Sequence, residues 1–165
     1  HVRLPSAAAE VGRELREMAA AQGIVLRFTD TLPDVEVAAA AIELCLTNLV
    51  SNAIKYSDPS EPERWIEVRG AIETLRDGET EVVVEVADNG LGVPESERGR
   101  LFERFFRASH GDREIEGTGL GLSIVRETVK SLGGRVWARF PEKGSVFAFS
   151  LACRREDEAA PEQEV

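Results

Sequence analysis

Residues 42–56 read IELCLTNLVSNAIKY, and this stretch forms a helix with two unlike faces. At about 100° per residue, Ile42, Leu46, Leu49, Val50 and Ala53 fall on one side, which is assigned to the core. Asn48, Asn52 and Lys55 fall in a narrow sector opposite. Asparagine is a mediocre helix former because its side chain competes for backbone hydrogen bonds. Two of them at i and i+4, followed by a lysine, are poor choices for a face that only meets water. An amide oxygen is a suitable hard ligand for Mg²⁺, and an ammonium neutralises phosphate. On this segment alone a solvated polar face and a metal–phosphate site both remain open.

Outward from that helix the chain alternates helices and strands. The helix itself is expected over Val37–Tyr56, closed by Ser57-Asp58-Pro59. Before it, a helix is expected over Ser6–Gln22, capped by Ser6, with Val11, Leu15 and Met18 as its core stripe and Gly23 as its stop. Ile24–Phe28 reads as a strand. After it, Trp65–Ile72 and Glu81–Ala87 read as a hairpin turning near Asp77-Gly78. Arg98–Arg113 is dense in charge and predicts one short helical turn followed by a mobile excursion. Leu120–Leu132 is a third helix ended by Gly133-Gly134, and Arg135–Phe140 with Ser145–Leu151 forms a last hairpin. The mixture predicts an α+β protein, a two-layer α/β sandwich with helices on one face of a sheet. Cys45 is expected to pack beside the core side of its helix.

Two glycine loops punctuate this pattern. Asp88-Asn89-Gly90-Leu91-Gly92 follows the strand ending Val84-Glu85-Val86-Ala87. Its glycines permit close approach of backbone to a ligand, and a carboxylate at a strand end can accept from a ligand amine such as that of adenine. It is equally an ordinary turn signal. Gly117-Thr118-Gly119-Leu120-Gly121 leads into the third helix, where exposed N–H groups and the helix dipole favour phosphate oxygens. It is not a P-loop, since no Lys-Ser or Lys-Thr follows.

The 165 residues suit one compact domain with a single core. With 20 basic and 30 acidic side chains the net charge is −10, which argues against binding nucleic acid or an anionic membrane. No apolar run is long enough to span a bilayer, so no direct membrane contact is expected. Two cysteines and two histidines cannot supply a structural zinc site; one disulfide is conceivable, but a reduced, cytoplasmic setting is simpler. The charge is unevenly spread. Arg98–Arg113 holds five arginines against two acids, a local +3, whereas the stretch from Cys153 is a local −3.

Four segments in order, Asn48–Tyr56, Asp88–Gly92, Phe102–Arg107 and Gly117–Gly121, resemble the N, G1, F and G2 boxes of sensor histidine kinases. The resemblance covers roughly residues 6–152. It implies a Bergerat-type fold, a mixed, mostly antiparallel sheet backed by helices, with ATP held under a mobile lid. Residues 1–5 are then a linker or terminal edge, 6–152 the ATP-binding catalytic domain, and 153–165 an acidic, disordered tail.

Carried over residue by residue, Asn52 is the Mg²⁺ ligand, and Asn48 lies one turn earlier near the phosphates. Lys55 meets phosphate oxygens and Tyr56 packs beside the nucleotide. Asp88 recognises the adenine amine, while Gly90 and Gly92 let the backbone approach the base. Arg104 and Arg107 contact the β- and γ-phosphates, and Gly117, Thr118, Gly119, Leu120 and Gly121 bind phosphate at the helix start. Asn48, Lys55 and Arg107 are the residues assigned to catalysis. Ala108–Glu116 becomes the lid, anchored by Phe102, Phe105 and Phe106 rather than through contact of those rings with ATP. His110 lacks the acidic neighbour of a phosphoacceptor and is read as a solvated loop residue.

The implied activity is protein-histidine kinase chemistry, with ATP and Mg²⁺ as cofactors. The acceptor histidine is expected on a dimerisation domain separate from this chain, and a response regulator downstream. This domain by itself is expected to be monomeric and not to autophosphorylate, whether its parent is free in the cytoplasm or membrane-anchored. Gyrase-type and chaperone ATPases of this fold place a glutamate one turn before the magnesium asparagine. Asn48 stands there and cannot act as a general base. The competing implications are an anti-sigma-type serine kinase and a nucleotide-binding adaptor or pseudokinase.

Overall fold

The computed structural model describes residues 1–104, 106–108 and 121–155. Its elements run β1 (Val2–Arg3), α1 (Leu4–Ala21), β2 (Ile24–Phe28), β3 (Glu36–Val37), α2 (Ala39–Lys55), β4 (Arg64–Thr74), β5 (Thr80–Asp88), a 3-10 turn (Glu95–Arg100), α3 (Gly121–Ser131), β6 (Val136–Arg139) and β7 (Ser145–Ala152). Five of the strands form one sheet in the order β2-β4-β5-β7-β6. β2 and β4 are parallel, and the other neighbours are antiparallel. This is the α+β sandwich that the alternation of helices and hairpins predicts.

Strand parity separates the two faces of the sheet. Register aligns Val68 with Val86 and Val86 with Phe147, while Val84 pairs with Phe149 and Val82 with Leu151. These side chains are buried with Leu46, Leu49 and Val50 of α2 and with Leu15 of α1 in a single core. The opposite face carries a band of ion pairs. Arg27 reaches Glu67 at 3.6 Å, Arg69 lies 3.8 Å from Glu67 and 3.6 Å from Glu85, and Arg139 reaches Glu85 at 3.4 Å. Ala148 of β7 stands opposite both Glu85 and Trp137, and its small side chain lets Arg139 of β6 reach across to β5.

Several sequence expectations are corrected at the edges of elements. Val2–Arg3 pairs antiparallel with Glu36–Val37, and Leu4 is fully buried. The first helix accordingly starts at Leu4, with Arg3 as its N-cap and Pro5 in its first turn, where a missing N–H costs nothing. α2 starts at Ala39 because Val37 is taken up by the β1–β3 pair. Met18 is half-exposed and not core. The buried stripe of α1 drifts round the helix, so that in the last turn Ala19 faces inward. Cys153 is buried and Arg154 bridges Glu36 through the backbone, so these two residues lie against the fold. Residues 156–165 lie outside the described residues. Cys45 is fully buried, as expected, and burial pushes its thiol up to about 12.

Candidate functional site

The site begins with strand alternation. Val82, Val84 and Val86 point to the buried face of β5, and the same parity carries Asp88 to that face at the strand end. A carboxyl thus occupies the last place in an apolar row. It is 8% exposed, accepts from the N–H of Gly90 at 2.8 Å, and also takes a hydrogen bond from the backbone N–H of Ser145, its partner on β7. Burial nevertheless dominates these two donors and pushes the carboxyl up to about 6. Among the described residues no side-chain cation contributes to that shift, which leaves the carboxyl suited to an uncharged donor such as an amine.

Asp88 stands in the wall of an open cavity. Asn52, Lys55 and Tyr56 from the last turn of α2 line one side, with Gly92 and Val93 from the glycine loop beside them. Leu101, Phe106, Arg107 and Ala108 close another side, and Leu122, Ser145 and Phe147 complete it. The lining thus combines an ammonium, a guanidinium and an amide with apolar side chains and the buried carboxyl of Asp88. That combination suits a ligand that carries both phosphates and a flat base.

The glycine loop is held against α2 by backbone contacts. The N–H of Leu91 donates to the carbonyl of Tyr56 at 2.9 Å. A Cβ on Gly90 would stand 2.5 Å from that same oxygen and 2.9 Å from the Asp88 carboxyl. Gly90 does not line the cavity itself, and its role is to permit this approach. Asn89 has a structural role, since its side chain accepts from the N–H of Trp65 and donates to the carbonyl of Glu63, pinning the start of β4.

The remaining sequence candidates divide. Asn48 does not line the cavity. Its amide donates to the Leu44 carbonyl at 2.8 Å, and its oxygen faces Gly121 at the α2–α3 contact. Arg104 also stands apart, on a second hollow lined by Phe102, Ser123, Arg126 and Lys130. Phe102 behaves as an anchor, packing edge-on against Phe147 at 6.2 Å. Phe106, expected only as an anchor, lines the cavity, with Arg100 stacked 4.6 Å from its ring centre. Phe105, His110, Gly117, Thr118, Gly119 and Leu120 lie outside the described residues, as does most of the expected lid.

Sequence reasoning missed the apolar wall and one ion pair. Phe147 was detectable from parity, since Phe147, Phe149 and Leu151 alternate along β7 on the core side. Leu101 carried no periodic signal. Asp58 and Lys143 are bonded to each other although 85 residues apart, which no local pattern announces.

Comparison with known proteins agrees with the geometry. The family model described as histidine kinase-, DNA gyrase B-, and HSP90-like ATPase matches residues 38–155. Sensor histidine kinase WalK of Bacillus subtilis (strain 168) is 36% identical over 139 residues, which is 81% of this chain and 22% of that protein. Adaptive-response sensory kinase SasA of Rippkaea orientalis is 33% identical over 155 residues, 92% of this chain and 38% of that one. The chain therefore spans well under half the length of these relatives. Among solved structures, the mycobacterial sensor histidine kinase MprB superposes with a TM-score of 0.74 at 27% identity, covering 93% of this chain and 97% of that one. The catalytic domain of histidine kinase ThkA gives a TM-score of 0.69 at 30% identity, covering 90% and 93%. With a buried carboxyl at the end of β5, a cavity against the last turn of α2 and these relatives, the chain belongs to the histidine kinase-, DNA gyrase B- and HSP90-like ATPase family, on the branch of the sensor histidine kinases.

Proposed function

We propose that this domain binds Mg·ATP in the cavity over Asp88 and presents the γ-phosphoryl group to a histidine on a separate dimerisation domain. The observation that carries this reading is the buried Asp88 carboxyl, set in the wall of a cavity that Asn52, Lys55 and Arg107 also line. The carboxylate accepts from the adenine amine, Tyr56 and Phe106 flank the base, and Lys55 and Arg107 meet phosphate oxygens. Asn52 supplies a neutral, hard amide oxygen at the phosphate end, which fits Mg²⁺ shared with phosphate. The ion, when bound, spreads the negative charge of the phosphates. Gly117, Thr118, Gly119, Leu120 and Gly121 add backbone N–H groups to the phosphates at the start of α3. Asn48, one turn before Asn52 on α2, and Arg104 are assigned to the phosphates from positions outside the cavity wall.

Transfer then depends on position and charge neutralisation, with the incoming histidine nitrogen in line with the leaving oxygen. The phosphoryl group passes on to an aspartate of a response regulator. The setting is cytoplasmic, and the domain alone is monomeric. Among the described residues no helix is long and apolar enough to cross a membrane. The test is calorimetric titration with Mg·ATP, followed by incubation with a dimerisation domain and assay for acid-labile phosphohistidine. Binding followed by label on the partner's histidine is expected. Acid-labile label on this chain alone, or no binding, would overturn the reading.

A further inference from the structure

We propose that Asp58 and Lys143 form a positioning clamp for the adenine end of the cavity, a role that rests on the nucleotide reading above. Asp58 lies two residues beyond Tyr56, just past the end of α2, and its side chain is only 10% exposed. It accepts from both the N–H and the hydroxyl of Ser60, at 2.9 and 2.7 Å, and from the ammonium of Lys143. Lys143 sits in the turn between β6 and β7 and also lies 3.6 Å from Glu61. These donors hold the Asp58 carboxyl well below the usual carboxylate range, so the pair is charged at neutral pH.

Both ends of this pair lead directly to Asp88. On the Asp58 side, the Tyr56 carbonyl receives the N–H of Leu91 and so fixes the loop that follows Asp88. On the Lys143 side, Gly144 has φ of +81° and packs so closely on the Asp88 carbonyl that no Cβ fits there. The next residue, Ser145, donates its N–H to the Asp88 carboxyl. A Cβ on Gly92 would stand 3.2 Å from the Gly144 carbonyl, so the loop and the turn are also in contact. The carboxyl that selects the base is therefore gripped from two sides, and Asp58–Lys143 ties the two grips together. Removing the ammonium leaves a buried carboxylate with Ser60 alone and frees the turn to move.

The test compares ATP, GTP and inorganic triphosphate binding to the full chain. Lys143→Met changes a side chain that is 43% exposed, so the core is left intact. Its ATP-to-GTP affinity ratio is expected to fall about tenfold, while triphosphate affinity stays within about twofold of the native chain. Lys143→Arg, which keeps the charge, is expected to retain the native ratio, and Asp58→Asn to lower it as Lys143→Met does. Loss of folded protein alone would weaken all three ligands together, which the ratio does not register. A native ratio in Lys143→Met, or triphosphate affinity falling in step with that of ATP, would overturn the clamp. A native chain that binds ATP no better than GTP would overturn the assignment of Asp88 itself, a result seen before any variant is made.

Discussion

The backbone N–H of Leu91 donates to the carbonyl oxygen of Tyr56 at 2.9 Å, which joins the C-terminal end of α2 to the loop after β5. Two segments far apart in sequence are thereby one rigid wall of the cavity. Gly90 permits the contact, since any Cβ there would press on that oxygen and on the Asp88 carboxyl. Gly90→Ala is expected to cost about 1–3 kcal/mol of stability and to weaken ATP binding at least tenfold. Urea denaturation and titration calorimetry on the same preparation would check both.

The raised Asp88 carboxyl makes a pH prediction of definite sign. Its folded value is about 6 against an ordinary 3.8, because burial penalises the charge. Between these values the folded chain keeps a proton that the unfolded chain gives up. The penalty is therefore absent below about pH 4 and fully present above about pH 6. Asp88→Asn is expected to raise stability at pH 7 by up to about 3 kcal/mol, a gain that vanishes by pH 4, and to abolish ATP binding. In the native chain, ATP affinity should fall as the pH drops through about 6, as the acceptor becomes protonated. Thermal denaturation and binding across pH 4–8 would measure both curves.

Lys55 is exposed at the mouth of the cavity, so its removal should leave the fold undisturbed. Lys55→Ala is expected to weaken Mg·ATP binding about tenfold while adenosine binding stays unchanged. Equal losses for the two ligands would remove this lysine from the phosphate end. Asn52→Ala makes a parallel case for the ion. ATP affinity in that variant is expected to become insensitive to EDTA, whereas the native chain loses affinity on chelation.

Glu85 bridges Arg69 and Arg139 on the sheet face away from the helices, where its side chain is 26% exposed. Glu85→Gln is expected to cost less than about 1 kcal/mol, and the loss should fade as salt is raised. ATP affinity should be unaffected, because the cavity opens on the other face. Denaturation at low and high ionic strength, with a binding control, would establish this.

What was legible in the sequence follows the physics of short-range patterns. The alternation Val82, Val84, Val86 sets the burial of Asp88, and the amphipathic turn pattern of α2 places Asn52 and Lys55 opposite Leu46 and Leu49. Features without a period were not legible. The β1–β3 pair is two residues long, too short for alternation to register, and it shifted the starts of both α1 and α2. The Asp58–Lys143 pair joins a loop to a turn across 85 residues and depends on the whole sheet being assembled. Met18 has the spacing of a core residue, yet Ala19 takes its place because the stripe drifts along α1.

The parallel pairing of β2 with β4 has a consequence for folding and opening. Two parallel strands need a crossover, and the crossover between these two contains α2. The helix that carries Asn52 and Lys55 is therefore threaded into the topology and not appended to it. It cannot swing away as a local event without unzipping β2 from β4 or breaking the core. Slow amide exchange in α2 should then report global unfolding, and a ligand seated on its last turn stabilises the entire domain by mass action. The site and the fold share one cooperative unit.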